Sequence, residues 1–546
     1  MSLTIHRTPS AHGNPMLIGA ILAEGVARAP DQEIVYARRH RYTYRDLDKR
    51  VHQLAGMLAG LGITPGDTIG VMDWDSHRYL ECFYAIPMMG AVLHTINVRL
   101  SPEQVLYTIN HAEDDVILLN REFAPLLAAI ADKLDNADTR IVLMDDGDDA
   151  ALDGLDLAGE YEALMAAAPC TFDFPELDED TRATTFYTTG TTGLPKGVYF
   201  SHRQLVLHTY ASRALERETS QGELTVDDVY MPLTPMFHVH AWGMPYHATI
   251  KGVKQVYPGR YDPATIIGLY QQENVTFSHC VPTIFQMVVG APAAEGVDFS
   301  GWKVIIGGAA MPPAMCRAAL ERGIDIYTGY GMSETCPVLT LALLPTELVD
   351  ADIDTQVEFR CRTGRPVPMV QLRIVDNDMN DVAHDGQTPG EIVVRAPWLT
   401  QGYLKDEEHS EELWRGGWLH TGDIGVMDKD GWLRVTDRIK DVIKTGGEWV
   451  SSLDLEALIT QHPDVAECAV IGVPDEKWGE RPLALVVAKP GAALDPASVT
   501  ALVQARADDG VISQYGVPDR VKVVDALPRT SVGKLDKKLM RTTMAD

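Results

Sequence analysis

Tyr187-Thr188-Thr189-Gly190-Thr191-Thr192-Gly193-Leu194-Pro195-Lys196-Gly197 gathers three glycines, four threonines, a proline and a lysine into eleven residues. Glycines let backbone N–H groups turn toward an oxyanion, threonine hydroxyls add donors or a metal ligand, and Lys196 adds a positive charge. Charge-assisted hydrogen bonds are worth roughly 1.5–3 kcal/mol each, so several together can hold a triphosphate. The stretch is no Walker A loop, because Pro195 stands five places after Gly190 and Gly197 follows Lys196. A Walker loop opens a helix, whereas the apolar residues 183–187 and 198–200 predict strand, loop, strand, with Ser201 capping a helix behind them.

Outward from the loop, the pattern alternates. Thr43-Tyr44-Arg45-Asp46 opens a helix carrying Leu47, Val51, Leu54, Leu58 and Leu61 on one face and closed by Gly62. Strands follow at 68–72, 91–95 and 116–119, with helices from His77 and, with proline at its first position, from Pro102. The reading is a layered α/β protein with largely parallel sheets, whose ligands sit beyond the carboxyl ends of the strands. It extends to about residue 437. From Asp437 the pattern becomes a compact α+β module, with strands near 467–472, 483–488 and 520–524 and a helix after Asp495-Pro496. Two domains are expected, 1–437 and 438–546, the second small and mobile. The acidic run Asp145-Asp146-Gly147-Asp148-Asp149 reads as a solvated loop.

The net charge of −30 argues against nucleic acid or an anionic membrane as a general partner, so a nucleotide must be held by local donors. Seven scattered cysteines without C-x-x-C or metal spacing fit a reducing cytoplasm. Neither a signal peptide nor a membrane span is expected.

Four more stretches carry more chemistry than packing needs. Ile305 to Pro312 is a strand running into Gly307, Gly308, Ala309 and Ala310, which leaves room for a flat ring or thin chain. Tyr327 to Thr335 offers an aromatic face, glycines and Glu334, a carboxylate able to hold Mg²⁺. His420-Thr421-Gly422-Asp423 places after a turn the kind of carboxylate that accepts from ribose hydroxyls. Pro528 to Lys534 presents one lysine on a short projecting loop. Each alone is open to the plain reading of a turn or a solvated lysine.

In this order the stretches resemble the adenylate-forming superfamily of acyl-CoA synthetases, adenylation domains and beetle luciferase. The resemblance runs from the Thr43 helix to Lys534 and includes 187–197, Tyr-Gly-Met-Ser-Glu-Thr at 330–335, Thr-Gly-Asp at 421–423, Asp437 to Glu448 and Gly533-Lys534. It implies a large N-terminal domain joined at the hinge Lys440 to a small C-terminal lid. It also implies roles. Thr188 and Glu334 would hold Mg²⁺, and Thr188, Thr189, Gly190, Thr191, Thr192, Gly193 and Lys196 the phosphates. Gly308, Ala309, Ala310, Thr328, Gly329 and Tyr330 would meet the adenine region, with Gly331, Met332, Ser333 and Thr335 beside them, and Asp423 and Arg438 the ribose. Lys534 would bridge carboxylate and α-phosphate while R–COO⁻ attacks phosphorus and pyrophosphate leaves. After rotation about Lys440, Lys444, Gly446, Gly447, Glu448 and Trp449 would serve the second step, in which the CoA thiol attacks the acyl adenylate and AMP departs.

For the acid, His238 and Trp242 of Met236 to Gly243, with Val281, Gly308 and Gly331, are expected to line the pocket by resemblance. No arginine or aspartate is obvious there, so an apolar acid is favoured. Trp242 could floor or gate the channel or be core filler. His238 joins Lys534 and Glu334 among the catalytic candidates, although a satisfied pocket histidine is its plain alternative. The stretches 236–242 and 446–449 look most like medium- to long-chain fatty acyl-CoA ligases and 3-methylmercaptopropionate-CoA ligases. The expected substrate is a short- to medium-chain fatty acid or its thioether analogue, with ATP, Mg²⁺ and coenzyme A, in a homodimer. Alternatives are a long-chain ligase, an adenylating enzyme with another acceptor, and an inactive nucleotide sensor.

Overall fold

The computed structural model describes residues 6, 8–188, 194–214, 222, 224–445, 448–510, 512–530 and 534–545. These form four sheets. One has seven strands in the order Leu157–Glu160, Arg140–Met144, Asp114–Asn120, Thr68–Met72, Val92–Thr95, Arg182–Tyr187 and Gly197–Ser201, parallel except for the last pair. The second has nine, parallel from Asp325–Gly331 through Lys303–Ile306, Phe277–Cys280, Val229–Tyr230 and Lys254–Tyr257 to Glu33–Tyr36. The inner parallel strands are buried, as strands covered on both faces must be, whereas the edge strand Leu157–Glu160 is not.

Local signals act where the sequence places them. Thr43 Oγ1 accepts from Asp46 N while Asp46 accepts from Thr43 N, a closed capping box on helix Tyr44–Gly60. Ser201 and Gln204 make the same exchange at the start of helix His202–Ala214. The strands flanking the opening stretch pair antiparallel, Tyr187 opposite Gly197, so the loop joins a hairpin at the edge of the seven-stranded sheet.

Three expectations are corrected. Residues up to 437 are not α/β throughout: Gln371–Val375, Gly390–Arg395, Leu419–Met427 and Leu433–Arg438 form an antiparallel four-stranded sheet. Its connections include tight turns built on Asp376 and Asp428, whose carboxylates accept backbone N–H groups, where parallel strands would need long crossovers. Asp423 does not follow a turn but lies inside strand Leu419–Met427, directly opposite Arg438. The acidic run is not simply solvated, since Asp145 pairs with Arg121 and Asp146 with Arg78, Arg39 and the Tyr36 hydroxyl.

Beyond Arg438 the chain builds its own sheet of five strands with two apolar clusters drawn from residues 443–545. It is fastened to the preceding sheet by polar contacts: Ser452 N–H donates to Asp437 at 2.6 Å, Ser451 Oγ donates to Thr436 O at 2.5 Å and Arg434 pairs with Asp454 at 3.1 Å, while Lys537 spans Ser452 and Glu456 within the new unit. Arg541 pairs with Asp441 at 2.7 Å.

Gly364 pins the start of the antiparallel sheet against strand Val338–Leu341. Its φ is +103° and a Cβ there would lie 2.2 Å from the carbonyl carbon of Leu341. Gly364→Ala is expected to cost more than about 3 kcal/mol, since strain and backbone clash add. Thermal melting checks it, a loss of at least several degrees being expected.

Candidate active site

The carboxyl ends of strands Lys303–Ile306 and Asp325–Gly331, the residues Thr188, Leu194 and Lys196, and the segment 419–440 enclose a cavity of about 520 Å³. Thr188, Lys196, His238, Trp242, Gly308, Glu334, Asp423, Arg438, Lys440 and Lys534 all face it. So do Gly329, Tyr330, Gly331, Met332 and Ser333. Of the candidate phosphate-binding residues, Thr189, Gly190, Thr191, Thr192 and Gly193 lie outside the described residues. The same holds for Gly446, Gly447 and Gly533, and for the side chains of Glu448 and Trp449.

Thr188 and Lys196 close the base of the hairpin, Thr188 N donating to Lys196 O and Lys196 N to Thr188 Oγ1, both at 3.0 Å. The Lys196 ammonium lies 4.5 Å from the centre of the Tyr403 ring, and the Tyr403 hydroxyl donates to Glu334 Oε1 at 2.8 Å. The other Glu334 oxygen has no side-chain partner among the described residues. A hydroxyl and a half-satisfied carboxylate are hard oxygen donors, the set that could hold Mg²⁺ together with substrate phosphates.

Across the cavity, Asp423 accepts from the Tyr330 hydroxyl at 2.7 Å and pairs with Arg438 at 3.3 Å. Lys534 comes from the C-terminal sheet and lies over Gly308, where an added Cβ would sit 3.1 Å from its Cε. Burial first, and then Arg438, push its ammonium down to about 8, with Asp423 and Glu334 opposing. Burial likewise lowers His238 to about 3, helped by Lys534 and Arg99, so its ring is neutral at ordinary pH.

The apolar side of the cavity is shaped by backbone. Val239, His240, Ala241 and Trp242 all have φ between +46° and +59°, and Gly243 follows at +72°. Each left-handed non-glycine residue costs roughly 1–2 kcal/mol, so outside contacts must hold the turn. Asp75 accepts Met236 N–H at 2.7 Å, and Thr95 donates to Phe237 O at 2.9 Å. The turn throws the Trp242 indole across Gly307, whose absent Cβ would meet its ring at 2.8 Å. Val239, Met244, Ile305, Val338 and Leu341 complete an apolar wall. Gly331 is equally constrained: a Cβ there would lie 1.7 Å from Pro337 O.

Other predicted residues stand apart. Ala309 and Ala310 are exposed beside the cavity, and Val281 touches the space above Gly308. Thr335 is buried and donates to Pro337 O, while the buried Thr328 hydroxyl has no partner among the described residues. Lys444 is exposed on strand Ile443–Thr445, away from the cavity wall. Sequence reasoning missed Tyr403 and Asp75. Tyr403 carries no local signal, but Asp75 lies just past strand Thr68–Met72, where the carboxyl-end rule could have found it.

Comparison with known proteins agrees with this geometry. Residues 22–404 match the model of the AMP-binding enzyme family and 454–534 that of the AMP-binding enzyme C-terminal domain. The chain belongs to the AMP-binding enzyme family. It is 39% identical, over 97% of its length and 98% of the relative's, to a 3-methylmercaptopropionyl-CoA ligase of Ruegeria lacuscaerulensis. It is also 39% identical to a long-chain-fatty-acid–CoA ligase of Thermus thermophilus, over 92% and 90% of the two chains. The structure of ATP-bound MatB from Rhodopseudomonas palustris superposes with a TM-score of 0.83 at 26% identity, covering 97% and 99%.

With its ammonium held near 8, Lys534 is expected to react with an acylating amine probe ahead of the exposed lysines. Peptide mapping should show a labelling midpoint near pH 8.

Proposed function

We propose that this member of the family activates a short- to medium-chain carboxylic acid, a fatty acid or a thioether analogue such as 3-methylthiopropionate. As an AMP-forming acid–CoA ligase it makes an acyl adenylate from the acid and ATP, then a thioester with CoA. The observation that carries the choice of acid is the Trp242 indole lying across Gly307 in the apolar wall of the cavity. A long chain would need that ring to move. The two relatives above differ by name in their acid, and the position of the Trp242 ring supports the shorter one.

In this reading Thr188 and Lys196 hold ATP phosphates, and Asp423, fixed by Tyr330 and Arg438, accepts from the ribose. Gly329 to Ser333 present the flat backbone surface that an adenine needs. Mg²⁺, held by Glu334 and Thr188, would supply charge neutralisation at the phosphates. Lys534, over Gly308, lies where an ammonium offsets the charge that builds as the carboxylate attacks phosphorus, a contact typically worth about 2.7–4 kcal/mol. His238 stays neutral and lines the pocket, taking no proton. For the second step, rotation of a 438–546 lid about Lys440 would withdraw Lys534 and bring Lys444 and the 446–449 loop to the cavity. A homodimer and a cytoplasmic location complete the reading. For the latter the support is seven cysteines, all free.

Lys534→Ala is expected to lose about 10²–10³ in adenylate formation while still converting synthetic acyl adenylate and CoA to thioester; equal losses in both half-reactions would overturn the division of labour. Adenylation by the wild type should fall as pH rises through about 8, because only the protonated amine acts, and Lys534→Arg should flatten that fall. Trp242→Ala should shift kcat/KM at least several-fold toward longer acids in a panel from acetate to palmitate. An unchanged optimum would remove Trp242 from specificity.

A further inference from the structure

Two neighbours hold the Trp242 indole. Its rings meet the His279 imidazole with centroids 5.1 Å apart and planes tilted by 38°, and its benzo edge lies over Gly307. His279 stands in strand Phe277–Cys280 opposite Ile305 of strand Lys303–Ile306, and Gly307 N donates to Cys280 O at 3.1 Å. The indole is thus gripped at the ends of two adjacent strands, by a side chain on one and by bare backbone beyond the other.

The His279 ring is itself fixed. It is fully buried, and both of its nitrogens are engaged. Thr234 Oγ1 donates its single proton to His279 O at 3.2 Å, so at 3.1 Å it receives the proton of Nδ1. Nε2 then carries no proton and accepts from the Tyr230 hydroxyl at 2.8 Å. Both partners come from one segment, Tyr230 ending strand Val229–Tyr230 and Thr234 four residues on. Filling space here would need only an apolar side chain, without two polar nitrogens to bury. What the two hydrogen bonds add is a single orientation of the ring.

That orientation matters for one neighbour above all. The left-handed turn 239–243 fixes where Trp242 leaves the backbone, while the contacts of the indole fix where it points. Trp242 lines the cavity and His279 does not, so His279 acts on a bound acid only through the indole. We propose that His279, locked by Tyr230 and Thr234, is the positioning residue that holds the Trp242 ring across the cavity and so sets the length of acid accepted. The proposal rests on the reading of Trp242 given above. Without the imidazole the indole loses one of its two supports and gains the vacated volume to move into, which lengthens the pocket.

The test is the ratio of kcat/KM for dodecanoate to that for butyrate, measured by acid-dependent ATP–pyrophosphate exchange. A ratio taken on one preparation does not depend on the fraction of folded sites. In His279→Ala it is expected to rise at least several-fold, with KM for ATP unchanged. Smaller rises are expected in His279→Phe, which keeps a flat ring without the two bonds, and in Tyr230→Phe, which keeps the imidazole and one bond. Adding His279→Ala to Trp242→Ala should leave the ratio where Trp242→Ala alone puts it, because an absent ring needs no support. An unchanged ratio in His279→Ala overturns the proposal, and so does a double variant whose shift is the product of the two single shifts. If Trp242→Ala itself leaves the ratio unchanged, the reading of the pocket fails first and takes this one with it.

Discussion

Lys534 reaches the cavity in close packing over position 308, which carries no side chain. Its Cε lies 3.1 Å from where a Cβ would be, on a glycine whose φ of +75° favours glycine in any case. That approach joins the end of a buried parallel strand to a loop of the C-terminal sheet, and the chemistry depends on the join. An ammonium brought so far out of water is costly, which is why its titration falls to about 8. Asp423 and Glu334 keep it charged at neutral pH. Each is itself fixed by a tyrosine hydroxyl, Tyr330 on Asp423 and Tyr403 on Glu334.

The acid side follows a different logic. Its polar side chains are kept neutral rather than paired: burial drives His238, His240 and His279 each to about 3. Of these the neutral His238 imidazole faces the cavity beside Trp242, Val338 and Leu341, with His240 and His279 buried outside its lining. The left-handed run 239–243 that shapes this surface is held from the seven-stranded sheet by Asp75 and Thr95. The geometry of this apolar wall in one sheet is thus maintained by residues at the strand ends of the other.

Much of this was legible in the chain. Capping at Thr43 and Ser201, the hairpin around the threonine–glycine loop and the strands of the C-terminal module all depend on residues close in sequence. The antiparallel sheet at 371–438 was not legible, because its strands of five to nine residues, with connections as long as 376–389 and 396–418, look locally like the strands of an α/β layer. Asp145 and Asp146 read as solvated, since nothing near them in sequence announces Arg78, Arg121 or Tyr36.

By itself, then, the sequence determined the reaction chemistry: which donors, glycines, carboxylates and lysine the chain possesses, and in what order. Those are properties of residue type and local spacing, and they survive being read in one dimension. Tertiary structure alone decided how they meet. The Trp242 ring lies on Gly307, Lys534 stands over Gly308, Tyr403 orients Glu334, and Asp75 steadies the loop before His238. Each is a contact between segments far apart in the chain, made by close packing of strand ends, and packing distances of this kind leave no periodic signal in sequence.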